Sequence, residues 1–150
     1  MTSTGPQAAP PLMAALARDD AAWAREHVER DIVGWLTTVA PDGRVQSSPI
    51  SFLHDGADLV FYSQPDTPKM RNLAHSPLVS FHLQSDPYGD HWLIIEGRAV
   101  VDRTIPPLDA HERYRAKYEE PHAHWGLDFT QTSLDFSLPI RIQPVRVRVG

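Results

Sequence analysis

Two textures of apolar residues divide this chain. From Leu12 to about Arg30, "LMAALARDDAAWAREHVER" mixes Ala, Leu and charged residues without Pro or Gly, and it predicts helix broken near "RDD". Beyond it, "DIVGWLTTVA" is β-branched and aromatic, "PDGR" is a hairpin turn signal, and "VQSSPISFLHDG" supplies a return strand. "HDGAD" turns the chain again, into "LVFYS". A short helix is predicted over 67–75, then strands "LVSFHLQ" and "HWLIIEGRAVVD" on either side of the loop "SDPYGD". A second helix runs from Pro106 to Glu120, with proline at its start, where a missing N–H costs least. "LPIRIQPVRVRV" ends the chain as a strand whose Pro144 requires an edge or a bulge. Consecutive hairpins with short helices between them predict a mainly β fold, a closed or nearly closed antiparallel barrel and not βαβ units.

Residues 1–11 are rich in Pro, Ala and Ser and predict a disordered arm, leaving 12–150 as one domain. No apolar run approaches the ~20 residues that cross a membrane, and no signal peptide opens the sequence, so a cytoplasmic protein is expected. The absence of cysteine fits a reducing compartment and removes disulfides, thiolate nucleophiles and Cys-based zinc sites. A net charge of -5 argues against a general nucleic-acid binder. Any anion site must therefore be local. With 12 Arg against 2 Lys, the position of Lys69 carries more information than a lysine usually does.

That position is "FYSQPDTPKMRNLAHSP", residues 61–77. Lys69 and Arg71 stand at the start of a short helix, where unpaired N–H groups and the helix dipole already favour an anion. Ser63 ends the preceding strand with a hydroxyl, and Asn72 adds an amide, so a phosphate cradle is one reading of the stretch. A solvated, capped turn is the other, and composition does not choose between them. In the second strand, Gln46, Ser48 and Pro49 occupy positions that a buried strand fills with apolar groups. They suit the heteroatom edge of a planar ring, or simply a solvent-facing side. His111, His122 and His124 show no metal-ligand spacing and read as surface histidines, with no metal expected. Glu96-Gly97 reads as a bulge with an outward carboxylate. No Ser/His/Asp spacing points to a nucleophile, and no catalytic residue is assigned.

Together, "GWLTTVAPDGRVQSSPISF", "LVFYSQPDTPKMRNLAHSPLVSFHL" and "IIEGRAVV" follow in an order that resembles the pyridoxamine 5′-phosphate oxidase-like split-barrel family. The match is nearest its flavin/deazaflavin oxidoreductase branch, whose actinobacterial members use coenzyme F420. The resemblance covers about Ile32 to Val101, and its most specific part is Ser-x5-Lys-x-Arg-Asn-Leu-x3-Pro. It implies a six-stranded antiparallel split barrel that forms a homodimer, with two cofactors at the subunit interface. It further implies that Ser63, Lys69, Arg71 and Asn72 hold a phosphate-bearing arm, that Gln46, Ser48, Pro49 and Ile50 line the ring, and that Trp92 reaches it from the neighbouring subunit. Flavin mononucleotide (FMN) oxidases of this fold tend to carry Arg before the lysine, where this chain has Pro68. They also end in an Arg-x-His pattern, where this chain reads "RIQPVRVRVG". Both departures lean toward F420, with FMN as the alternative. The implied chemistry is hydride transfer to a small conjugated substrate such as an enone or quinone, with Tyr88, His91 and water all open as proton source. A non-enzymatic binder of a cofactor or haem in the same cleft is the remaining alternative.

Overall fold

The structure, a computed structural model, describes residues 11–150, so the arm expected over 1–11 lies, apart from Pro11, outside it. The first helix breaks at the predicted point: α1 (Leu12–Ala15) is followed by a 3-10 turn at Asp19–Ala21 and then α2 (Ala22–Arg30). The strands are β1 (Gly34–Val39), β2 (Val45–Ile50), β3 (Leu53–His54), β4 (Leu59–Ser63), β5 (Leu78–His82), β6 (Leu93–Val101) and β7 (Leu138–Val149). α3 (Pro68–His75) joins β4 to β5, and α4 (Glu112–Trp125) and α5 (Phe129–Asp135) join β6 to β7. Among the described residues no helix is long and apolar enough to cross a membrane.

All strands pair antiparallel in one sheet of order β2-β1-β5-β6-β7-β4-β3. Among the described residues the strand count is seven, correcting the expected six. The predicted return strand divides at Ser51-Phe52, its first part pairing with β1 and its second with β4. β2 and β3 are thus opposite edges of the same sheet, yet only two residues separate them. Three Cα steps reach at most about 11 Å, so the sheet must curl until its edges meet.

The concave face buries Leu36, Phe81, Ile95, Phe61, Ile140 and Ile142 completely. Gly34 lets this core close. A Cβ there would stand 2.3 Å from the Phe81 ring, which packs edge-on against Phe52 at 5.0 Å. β4 is buried along its whole length, because Val60 and Tyr62 also pack into a second cluster with Leu108, Tyr114 and Tyr118 beneath α4.

α4 runs beyond the predicted Glu120, through Pro121. Tyr114, Tyr118 and His122 are its buried residues, at the four-residue spacing of one helix face, and their packing overrides the proline's penalty. Gly126, at φ +68°, ends the helix in the left-handed conformation that glycine adopts freely. α5 was not predicted. Its one local signal is Asp128, whose carboxylate accepts from the Thr130 and Gln131 N–H groups at 2.6 and 3.3 Å. The predicted irregularity at Pro144 is a bulge: Gly97 pairs with Pro144 but Glu96 with Arg146, which leaves Val145 as the extra residue. Glu96 faces Arg148, 3.1 Å away.

The seam between the edges is closed by a side chain. The Phe52 N–H donates to the Tyr118 hydroxyl at 2.7 Å. That hydroxyl lies 2.8 Å from the Ile32 carbonyl and 3.0 Å from that of Phe52, one of which takes its single proton. Tyr118→Phe keeps the ring and strands the buried Phe52 N–H and carbonyl. It is expected to lower stability by about 1–3 kcal/mol and the melting temperature by roughly 2–12 °C. A melting curve superimposable on wild type would show that the hydroxyl does not close the seam.

Candidate functional site

The site begins with a buried amide. Thr67 caps α3, its hydroxyl accepting from the Met70 N–H at 3.4 Å, and Pro68 takes the first helical position. One turn on, Asn72 is buried, and its Nδ2 donates to Thr38 Oγ1 at 3.0 Å and Gln46 Oε1 at 2.6 Å. Those two acceptors sit opposite each other on β1 and β2. The amide therefore pins the helix across the sheet's edge. Lys69, three residues earlier, shares a helix face with Asn72 and is carried toward β2.

The result is a cleft of about 210 Å³ lined by Thr38, Gln46, Ser47, Ser48, Pro68 and Lys69. Lys69 is partly buried. Burial alone holds its pKa below the usual lysine value, with no carboxylate or hydrogen-bond partner among the described residues acting on it. A partly desolvated ammonium facing hydroxyls and an amide is chemically suited to a phosphate or another oxyanion.

The other candidates occupy distinct places. Ser63 is fully buried, and its hydroxyl donates to the Gln64 carbonyl at 2.8 Å with Thr67 Oγ1 3.4 Å away. Arg71 is exposed and donates to the Asp66 carbonyl at 3.2 Å, bracing the loop ahead of its own helix. Ile50 is buried and, with Gln46 and Ser48, shares the inner side of β2, opposite Gly34, Thr38 and Leu36. Pro49 points to the outer side, opposite Trp35. Pairing continues that row across the sheet through His82 and Ile94 to Arg148. Trp92 lines a separate cleft of about 390 Å³ on this outer face, with Trp35, His82, Gln84 and Ile94.

Sequence reasoning missed Thr38, Trp35 and His82. Thr38 was within reach, because the "PDGR" turn fixes the hairpin register that sets Thr38 against Gln46. Trp35 and His82 needed the order of strands β1 and β5, which no local pattern carries. The histidine reading needs one correction. His124 is exposed, but His122 is buried and stacks on Phe129 with ring centroids 4.0 Å apart. His111 caps α4, its Nδ1 accepting from the Tyr114 N–H at 3.1 Å.

A sheet curled until its edges meet, with a lone cation held over a polar edge strand, belongs to the split-barrel class. Within it, the chain belongs to the pyridoxamine 5′-phosphate oxidase family, whose pattern matches residues 22–148. Among solved structures, an F420 reductase is 26% identical, with a TM-score of 0.61 over 83% of this chain and 94% of its own. The conserved hypothetical protein Rv2991 of Mycobacterium tuberculosis shares the fold at 24% identity and a TM-score of 0.66, over 88% of this chain and 87% of its own. HutZ, the haem storage protein of Vibrio cholerae, shares it at 19% identity and a TM-score of 0.62, over 88% and 95%. No curated protein matches the chain.

Proposed function

We propose that this protein is an oxidoreductase dependent on the deazaflavin coenzyme F420, acting on a small conjugated substrate such as an enone or quinone. The observation that carries the reading is Lys69, partly buried without an anionic partner among the described residues, above the polar inner side of β2. The F420 reductase among the similar structures supports the choice of cofactor. FMN is the second reading, favoured by the family match. Against it, Pro68 stands where FMN oxidases of this fold tend to carry a second cation.

The coenzyme supplies the hydride that adds to an electrophilic carbon of the substrate, while a proton from elsewhere completes the reduction. The chain's own part is binding and orientation. Lys69 Nζ would donate to the phosphate of the coenzyme's arm and Ser48 and Gln46 would meet the heteroatom edge of the ring, while Asn72 holds strand and helix at fixed separation. Ser63 and Arg71 keep the loop before α3 in shape through their bonds to the Gln64 and Asp66 carbonyls, and on this reading they would turn to the arm when it binds. A second copy of the chain would bring its Trp92 to the ring. No residue is assigned as proton donor; Tyr88 and His91 are both exposed.

Four outcomes test this reading. Light scattering at micromolar concentration should give a dimer, twice the 16.8 kDa chain, and a strict monomer that binds cofactor normally would end the shared-site model. Titrated in one buffer, F420 should bind more tightly than FMN, whereas the reverse order by about tenfold or more would select the flavin reading. Lys69→Ala should weaken cofactor binding by about 1.5–3 kcal/mol, roughly tenfold to more than a hundredfold, and less at high salt. The pH dependence has a definite sign. Binding needs the protonated amine, so wild-type affinity should fall as pH rises through the lowered Lys69 pKa, at lower pH than for an exposed lysine. Lys69→Ala should lack that step.

A further inference from the structure

A larger cleft lies elsewhere. It has a volume of about 690 Å³, lies between residues 30–32 and α4, and shares no residue with the Lys69 cleft. Lys117, the chain's other lysine, lines it. The Lys117 Nζ is buried and has no hydrogen-bond partner among the described residues. It rests 3.9 Å from the centroid of the Phe52 ring and 5.6 Å from that of Tyr118. Two aromatic faces attract a cation but accept none of its three N–H bonds in the manner of an oxygen.

The nearby carboxylates are already taken. Glu29 pairs with His54, and Asp31 with His27 at 3.1 Å and Arg30 at 3.7 Å. Burial pushes the Lys117 pKa down to about 8, which still leaves the amine mostly charged at neutral pH. A buried ammonium without an acceptor is costly, and such groups are normally paired. The lining shows what could pair with it. Trp125 and Ile32 present partly exposed apolar surface, Arg30 adds a cation, and Glu119 and Glu120 oppose a second negative charge.

We propose that this cleft binds a small aryl monocarboxylate, its carboxylate accepting from Lys117 Nζ and its ring resting on Trp125 and Ile32. The site stands independently of the cofactor reading, since it uses neither Lys69 nor β2.

With two lysines in the chain, protein carrying 13Cε-lysine gives two lysine Cε signals, assigned with Lys117→Met. 2-Naphthoate is the probe, and the uncharged naphthalene-2-carboxamide is its control. The expected result is a saturable shift of the Lys117 signal with the Lys69 signal unmoved, and binding of the carboxamide at least about tenfold weaker. Lys117→Met keeps the alkyl stem over Phe52, so it should melt no lower than wild type while losing naphthoate affinity by a similar factor. The proposal is overturned if naphthoate and carboxamide bind alike. It is equally overturned if only Lys69 responds, or if no saturable shift appears up to about 10 mM, which would mean that water alone satisfies the amine. The comparison of the two probes uses wild-type protein and needs no variant to fold.

Discussion

The Tyr118 hydroxyl stands where the two edges of one sheet meet, and the architecture depends on that junction. Ser51 and Phe52 connect β2 to β3 but pair with no strand in the ladder. Phe52 is completely buried there, so its N–H and carbonyl need partners that are not strands. Tyr118 provides them from a helix 66 residues away in sequence and also reaches the Ile32 carbonyl. A ladder across the seam would have closed the barrel and removed β2 as an edge. A side-chain tie brings the edges together while leaving β2 with one unpaired side, and Lys69 lines a cleft with Gln46, Ser47 and Ser48 of that strand.

Both lysines follow from this geometry. Lys69 lies beside the edge strand β2 and Lys117 over the Phe52 ring at the seam, each partly buried and each with its pKa lowered first by burial. Arginine carries the ordinary structural charge. Arg141 joins the β3–β4 turn to the end of β6 through Asp55, Asp58 and Asp102 at 2.5, 3.2 and 2.9 Å. A guanidinium with five fixed donors suits three carboxylates at once, whereas a single ammonium on a flexible stem suits an exchangeable partner.

Much of the fold was legible because its signals are local. The break at "RDD", the "PDGR" and "HDGAD" turns, the helix after Thr67 and the bulge at Pro144 each depend on a few neighbouring residues. The seventh strand was not legible, because β3 has only two residues and is defined by its partner β4. α4 outran its prediction because tertiary burial of Tyr118 and His122 outweighs the helix-breaking tendency of Pro121. At the site, the polar side of β2 and the lone lysine could be read from residue types. The separation of Pro49 and Trp92 from Lys69 could not, since it follows from strand alternation and sheet order together. Nor could the partners of Ser63 and Arg71, which are carbonyls placed by the path of a loop.

The order of strands also dictates when the molecule can be completed. β4 has one long partner, β7, and β7 is the last element of the sheet. While the chain is being made, β1 can pair with β2 and then β5 with both β1 and β6, so one side of the sheet can grow as it emerges. The β3–β4 hairpin has no such neighbour until residues beyond Leu138 have left the ribosome. Until then Leu59, Val60 and Phe61, all buried in the finished fold, lie on an unpaired strand of the sort that nascent chains aggregate through. Synthesis of the final strand is the step that shelters them.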